Sequence, residues 1–276
     1  MTDKLSHHLP PEIVAHYSGG VEQPRLGGGT SRLELARTRL ILQRSLPAPP
    51  ARILDVGGGP GSYAHWLTDE GYTAHLVDAV PLHVEQAQAA SNGYTTALGD
   101  ARDLQEPDAS ADAVLLLGPM YHLTERADRL RALGEAGRVA RRGQPVFVAA
   151  ISRFTSLLDG LWTHYLDDPA FGRIVERDLR EGQHRNPENR AGWFTTAYLH
   201  RPDDLAQEIR DAGLLLDDLL AVEGPGWLLP DFEARWQDDR RRQQLLDTIA
   251  RVEREPSMLG VSAHLLAVAR RPARPS

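Results

Sequence analysis

The chain has 276 residues, 41% hydrophobic and 25% charged, which fits one large globular domain or one domain with a sizeable insertion. The net charge is −7 and the arginine runs at Arg141-Arg142, Arg240-Arg241-Arg242 and Arg270-Arg271 are short, so no nucleic-acid partner is expected. Without cysteine there are no disulfides, thiolate metal sites, cysteine nucleophiles or cysteine-held iron–sulfur clusters; no apolar run is of membrane-spanning length, and a cytoplasmic protein away from membranes is expected.

Pro10-Pro11 opens a short helix through Glu12, Ile13, Val14, His16 and Tyr17, ended by Gly19-Gly20. The His7-His8 pair before it reads as a tail, since no third metal ligand is evident. A helix is predicted over Ser31 to Leu46, with Ser31 and Glu34 as a capping box and Leu33, Leu35, Leu40, Ile41 and Leu42 as its apolar face. Glu34 and Arg37 are spaced for a surface ion pair, and Pro47, Pro49 and Pro50 stop the helix.

Arg52 to Asp78 then reads as strand, tight turn, helix and strand, the unit of a parallel α/β sheet. Gly57, Gly58, Gly59 and Gly61 permit positive φ and let a ligand approach bare backbone. The following helix aims its free N–H groups at such a ligand, and Asp78, ending the second strand, can accept from a ribose diol. A nucleoside-containing cofactor is expected. Gly59, Gly61 and Ala64 satisfy the G-x-G-x-x-A frame of a dinucleotide site, which keeps an NAD(P)-binding oxidoreductase open. Asp55 argues against it, because a carboxylate beside the glycines repels a pyrophosphate and suits the ammonium of an amino-acid group.

Beyond Asp78, Pro81 begins a helix running to Ser91, Asn92-Gly93 turns the chain, and Tyr94 to Leu98 forms a third strand before Gly99-Asp100-Ala101-Arg102. Ala113 to Leu117 is a buried-type strand ending in Gly118-Pro119-Met120-Tyr121-His122-Leu123, at the sheet edge where ligands sit. A helix to Arg141 and a fifth strand over Val146 to Ile151 follow. Residues 152–200 break the alternation: Phe154, Leu157, Leu158, Leu161, Trp162 and Tyr165 form an apolar helical face, and Trp193, Phe194, Tyr198 and His200 come after a loop. This aromatic insertion is placed to cap the sheet, or to form a second small core. Pro202 to Ala212 is helical and Leu214 to Val222 a strand; the loop Glu223 to Trp227 returns to the functional edge. Phe232 to Arg254 reads as one charged helix and Met258 to Arg270 as the final strand.

Asp55-Val56-Gly57-Gly58-Gly59-Pro60-Gly61 resembles the D-x-G-x-G-x-G motif of class I S-adenosylmethionine (SAM) methyltransferases, and Gly118-Pro119-Met120-Tyr121-His122-Leu123 resembles the G-P-L-Y-H-L of bacterial small-molecule members. The resemblance is specific over Arg52 to Ile151 and extends elsewhere by the order of elements. It implies an α/β fold: a Rossmann-like seven-stranded sheet, mostly parallel with the last strand antiparallel. It also implies an N-terminal helical cover over 1–50, a SAM-binding core over 51–151, a helical substrate cap over 152–200 and the rest of the sheet over 201–276. SAM is the implied cofactor and S-adenosyl-L-homocysteine (SAH) its product. Asp78 falls where the family binds ribose and Asp100, with Ala101 beside it, where it binds adenine. By the same likeness Tyr17 belongs to the cover, Arg37 lies near the cofactor carboxylate, and Ala79, His83, Arg102, Leu117 and Gly118 line the cofactor site.

The implied reaction is in-line methyl displacement, which needs alignment and a dry pocket more than a strong catalyst. The resemblance points to a small acceptor of natural-product type, aromatic or heteroaromatic, with indole C3-methylation among the possibilities and N- or O-methylation the alternative. Met120, Trp162, Trp193 and Trp227 are the candidate acceptor contacts. Candidate bases are His122, Tyr121, Tyr198, His200 and Glu223; His122 could equally contact the cofactor or begin a helix. No Asp-Asp-Asn run matches a catechol-type magnesium site, so no metal is expected. A monomer or homodimer acting on a small molecule is expected, with a SAM-binding module lacking catalysis as the further alternative.

Overall fold

The computed structural model describes residues 10–18, 22 and 27–273; His7-His8 and Gly19-Gly20 lie outside the described residues. Helix α1 spans Pro11–Ser18 and α2 Ser31–Ser45. The alternation then runs β1 (Arg52–Val56), α3 (Ser62–Asp69), β2 (Thr73–Asp78), α4 (Pro81–Ala90), β3 (Thr95–Leu98) and β4 (Ala113–Leu116). A one-turn helix α5 (Pro119–His122), α6 (Arg126–Val139) and β5 (Pro145–Ile151) follow. The insertion contributes α7 (Thr155–Trp162), α8 (Pro169–Glu181) and a small hairpin of β6 (Gln183–His184) and β7 (Ala197–Tyr198). Next come α9 (Pro202–Asp211), β8 (Leu215–Ala221), α10 (Phe232–Gln237), α11 (Asp239–Val252), α12 (Pro256–Leu259) and β9 (His264–Arg270).

Seven strands form one sheet in the order β3-β2-β1-β4-β5-β9-β8. The strands from β3 to β5 pair in parallel, whereas β9 runs against both β5 and β8. This is the expected Rossmann-like methyltransferase sheet, with the last strand antiparallel. The order reverses between β1 and β4, which opens a crevice at their C-terminal ends.

Helices on both faces explain why β4 is buried along its length. Its side chains alternate as a period of two requires. Val114 and Leu116 join Ala132, Leu133 and Ala136 of α6 and Leu205 and Ile209 of α9. Ala113 and Leu115 join Ile41 and Leu42 of α2 and Tyr63, Ala64, Trp66 and Leu67 of α3. Among the described residues no helix is long and apolar enough to cross a membrane.

The local expectations need four corrections. The start of α2 has no side-chain cap: Thr30 occupies the N-cap with helical backbone angles. Arg37 turns inward to Glu253 instead of pairing with Glu34. The long charged helix divides at Asp238, whose carboxylate accepts from the Arg241 N–H and caps α11. Met258 belongs to α12, so the last strand starts at His264. The apolar face of α7 is also incompletely covered, with Leu161 68% and Trp162 51% exposed.

Candidate functional site

The turn after β1 is shaped by close packing. Gly57 has φ 70°, and its N–H donates to the Val77 carbonyl at 2.7 Å. A Cβ there would lie 2.5 Å from Pro119 Cδ, so the missing side chain is what seats α5 against the turn. A Cβ at Gly58 would meet Asp55 Oδ2 at 2.7 Å. The result is a cavity at the β1–β4 crevice with α5 on one wall.

Three acids expected from the sequence line this cavity. Asp55 is fully buried and neither of its oxygens makes a hydrogen bond. Burial, and then the charge of Asp78, push its carboxyl from 3.8 up to about 7; the nearby Ala64 backbone pulls the other way without forming a full bond. Asp78 holds the turn together, accepting from Gly59 N at 2.8 Å and Val80 N at 2.9 Å, with His83 Nδ1 3.2 Å away. Asp100 is clasped by Arg102, which approaches it through Nη2 at 2.6 Å and Nε at 3.0 Å while also reaching Asp128.

Helix α1 closes the cavity from the N-terminal side. The Tyr17 hydroxyl lies 2.6 Å from His122 Nε2, and the Tyr17 ring meets His83 edge-on with centroids 5.0 Å apart. His122 Nδ1 faces the Thr196 carbonyl at 3.3 Å. A carbonyl only accepts, so Nδ1 carries the proton and Nε2 accepts from Tyr17. Burial pushes the His122 imidazole down to about 4, with the Thr196 carbonyl opposing, so it is neutral near pH 7. The insertion meets α1 here too, since Thr196 Oγ1 donates to Glu12 Oε1 at 2.9 Å.

The cavity therefore gathers Tyr17, Asp55, Gly57, Gly58, Gly59, Asp78, Ala79, His83, Asp100, Ala101, Arg102, Leu117, Gly118, Tyr121 and His122. Other sequence-selected residues lie elsewhere. Gly61 packs below the turn, where a Cβ would strike the Tyr94 hydroxyl at 2.4 Å. Arg37 is completely buried, ion-paired to Glu253 and donating from Nε to the Val222 carbonyl at 3.0 Å. Met120 is enclosed in the core. Tyr198 lies under the Arg129 guanidinium at 3.6 Å, and His200 is buried with Nε2 3.2 Å from Glu208. None of the three expected tryptophans lines the cavity. Trp162 is half exposed; Trp193 packs on Phe171, with centroids 5.0 Å apart; Trp227 donates from Nε1 to the Val261 carbonyl at 2.9 Å.

The end of the cavity over β5, β8 and β9 holds residues the sequence did not single out for it: Thr38, Glu34, which was expected in a capping box, and His264. Glu223 stands just behind them, its carboxylate contacting the His264 ring at 2.6 Å. The overlooked signal was directional. A strand running against its neighbours begins at the edge where they end, so the first residue of β9 lies beside the ligand crevice.

Residues 53–143 match a methyltransferase domain family. A methyltransferase of Mycobacterium tuberculosis, itself uncharacterised, is 35% identical over 98 residues, which is 36% of this chain and 39% of that protein. A malonyl-[acyl-carrier protein] O-methyltransferase of Methylococcus capsulatus is 28% identical over 160 residues, 53% of this chain and 56% of that protein. The chain thus spans less than two thirds of the length of either relative. Among solved structures, an S-adenosylmethionine-dependent methyltransferase from Mesorhizobium loti superposes with TM-score 0.59 at 19% identity, covering 87% of this chain and all of that one. The chain carries a methyltransferase domain over residues 53–143, built on the class I methyltransferase sheet.

Proposed function

We propose that the chain is a SAM-dependent methyltransferase acting on a small molecule. The observation that carries this reading is Asp55, a buried carboxylate without a hydrogen bond in a cavity whose charged lining, among the described residues, is five carboxylates, Glu22, Glu34, Asp55, Asp78 and Asp100, against the guanidinium of Arg102. Such a lining favours a cation and disfavours a pyrophosphate, which separates SAM from NAD despite the Gly59-Gly61-Ala64 spacing. The methyltransferase domain match and the SAM-dependent neighbours support the same donor.

SAM supplies an electrophilic methyl group on a sulfonium. In this reading Asp55 receives the ammonium of its amino-acid part, Asp78 the ribose hydroxyls, and Asp100 with Ala101 the adenine edge. Tyr17 and His122 keep α1 closed, excluding water and fixing alignment. The enclosure of the cavity by α1, which Thr196 ties down through Glu12, suits a small acceptor, and Tyr121 and His122 are among the rings lining it. The positions of the tryptophans weaken the indole-stacking reading and leave the acceptor atom to the groups over β8 and β9.

Calorimetric titration with SAH and with NAD tests the proposal. Saturable SAH binding without NAD binding is expected; NAD binding without SAH would overturn it. Label transfer from methyl-labelled SAM to a small acceptor then distinguishes an enzyme from a SAM-binding module.

A further inference from the structure

A second cavity lies on the insertion, between α8 and the loop from Arg185 to Trp193, and shares no lining residue with the first. Its volume is about 410 Å3, within the range of small-molecule pockets. Arg173, Arg177, Arg180 and Arg185 line it against two glutamates, Glu176 and Glu188. On a chain of net charge −7 this is a local reversal of sign. Arg173, Arg177 and Arg180 are spaced to share one face of α8, where like charges repel one another.

Carboxylates do little to neutralise these cations. Among the described residues Arg173 makes no hydrogen bond or ion pair, and its charge acts at longer range on Asp168. Arg180 and Arg177 share Glu181, at 2.9 Å and 3.9 Å. Glu188 is held by Arg190 at 2.7 Å. Arg185 is half-buried and fixed by neutral acceptors: Nη1 donates to the His184 carbonyl at 2.8 Å and Nη2 to Gln183 Oε1 at 2.5 Å. Among the described residues no carboxylate bonds to it and its Nε–H has no acceptor. Burial, and then the charge of Arg177, push its guanidinium below the ordinary value, with Glu12, Glu125 and Asp178 opposing. Ile174 and Trp193 supply an apolar wall. The indole is braced there, with the Arg190 guanidinium 4.7 Å from its centroid and Phe171 edge-on to it.

We propose that this groove binds a small phosphate monoester, its head between Arg177 and Arg185 and its organic part against Ile174 and Trp193. Four arginines against two glutamates leave a surplus that a dianion matches and a single carboxylate does not. Guanidinium forks fit the oxygens of a phosphate. Inorganic phosphate would use the arginines and leave the Trp193 wall bare. The groove stands apart from the first cavity, so the inference holds whether or not that cavity takes SAM.

The test is calorimetric titration of the full chain near pH 7.5 with phenyl phosphate, inorganic phosphate and benzoate. Phenyl phosphate should saturate one site, with inorganic phosphate and benzoate each about tenfold weaker. Arg177→Gln, on an exposed helix face, should weaken phenyl phosphate about tenfold and leave the melting temperature and SAH binding unchanged. Trp193→Leu should weaken phenyl phosphate about fivefold without affecting inorganic phosphate. Arg241→Gln, in α11, should change nothing. Absence of saturable binding, benzoate binding as tightly as phenyl phosphate, full affinity in Arg177→Gln, or an equal loss in Arg241→Gln would each overturn the proposal. With phosphatidic acid vesicles, whose headgroup is the same monoester, the chain should stay in the supernatant. Sedimentation with them would assign the groove to a lipid surface and overturn the soluble ligand.

Discussion

The Tyr17 hydroxyl and His122 Nε2 stand 2.6 Å apart, tying α1 to α5 at the cavity wall. Tyr17→Phe removes that bond and leaves the ring contact with His83. SAH should then dissociate about fivefold faster, the equivalent of roughly 1 kcal/mol. Stopped-flow displacement measures it, and an unchanged rate would show that the bond does not hold the site closed.

The same bond implies a pH response. His122 is pushed down to about 4, below its ordinary 6.5, so the folded state binds this proton less readily than the unfolded one. Its contribution to stability is complete above pH 6.5 and is lost as pH falls through about 4. Hydrogen exchange in 11–18, corrected for intrinsic rates, should accelerate across that window. Equal protection at pH 7 and pH 4 would contradict the assignment.

Asp55 titrates in the opposite sense. Its carboxyl is raised from 3.8 to about 7, so its contribution to the ligand-free protein is full below pH 3.8 and lost as pH rises through 7. Asp55→Asn should therefore raise the melting temperature of the ligand-free protein at pH 8 while weakening SAH binding. Wild-type affinity for SAH should rise with pH below about 7, by at most about tenfold per unit, and level off above it. Calorimetry across pH 5.5 to 8.5 checks both the slope and its disappearance in the variant.

Asp78 anchors the turn and faces the cavity. Asp78→Asn preserves size but removes the charge, and SAH affinity should fall roughly 30-fold, about 2 kcal/mol for charge-assisted hydrogen bonds. Unchanged affinity would remove the ribose assignment.

Arg37 separates packing from ligand contact. Arg37→Met removes the buried partner of Glu253 and leaves that carboxylate to the more exposed Arg44 and Arg254, which should cost about 3 kcal/mol in a urea melt. SAH affinity of the folded fraction should be unchanged. A loss of affinity without loss of stability would restore the cofactor-side role for Arg37.

The strand–turn–helix–strand unit was legible because glycines and terminal acids are local features: Gly57 to Gly61, Asp55 and Asp78 sit within one supersecondary unit. The cavity contacts of Asp100 and Tyr121 followed from strand ends, which the apolar runs mark clearly. Distant pairings were not legible. Arg37 finds Glu253 across 216 residues, so its nearer neighbour Glu34 looked like the partner. Glu34 was further disguised by fitting a capping box that the chain does not form. His264 was hidden at the head of an apolar strand, and only the antiparallel direction of β9 brings it to the ligand edge. The tryptophans show the reverse error: aromatic content pointed residues 152–200 at the cavity, yet none of them is among its lining residues.

A crystal structure of the chain with SAH tests the proposed donor site most directly. The ribose hydroxyls should lie on Asp78, the adenine edge against Asp100 and Ala101, and the ammonium within hydrogen-bonding distance of Asp55. SAH bound outside this cavity, or inside it with its carboxylate against Asp55, would contradict the assignment.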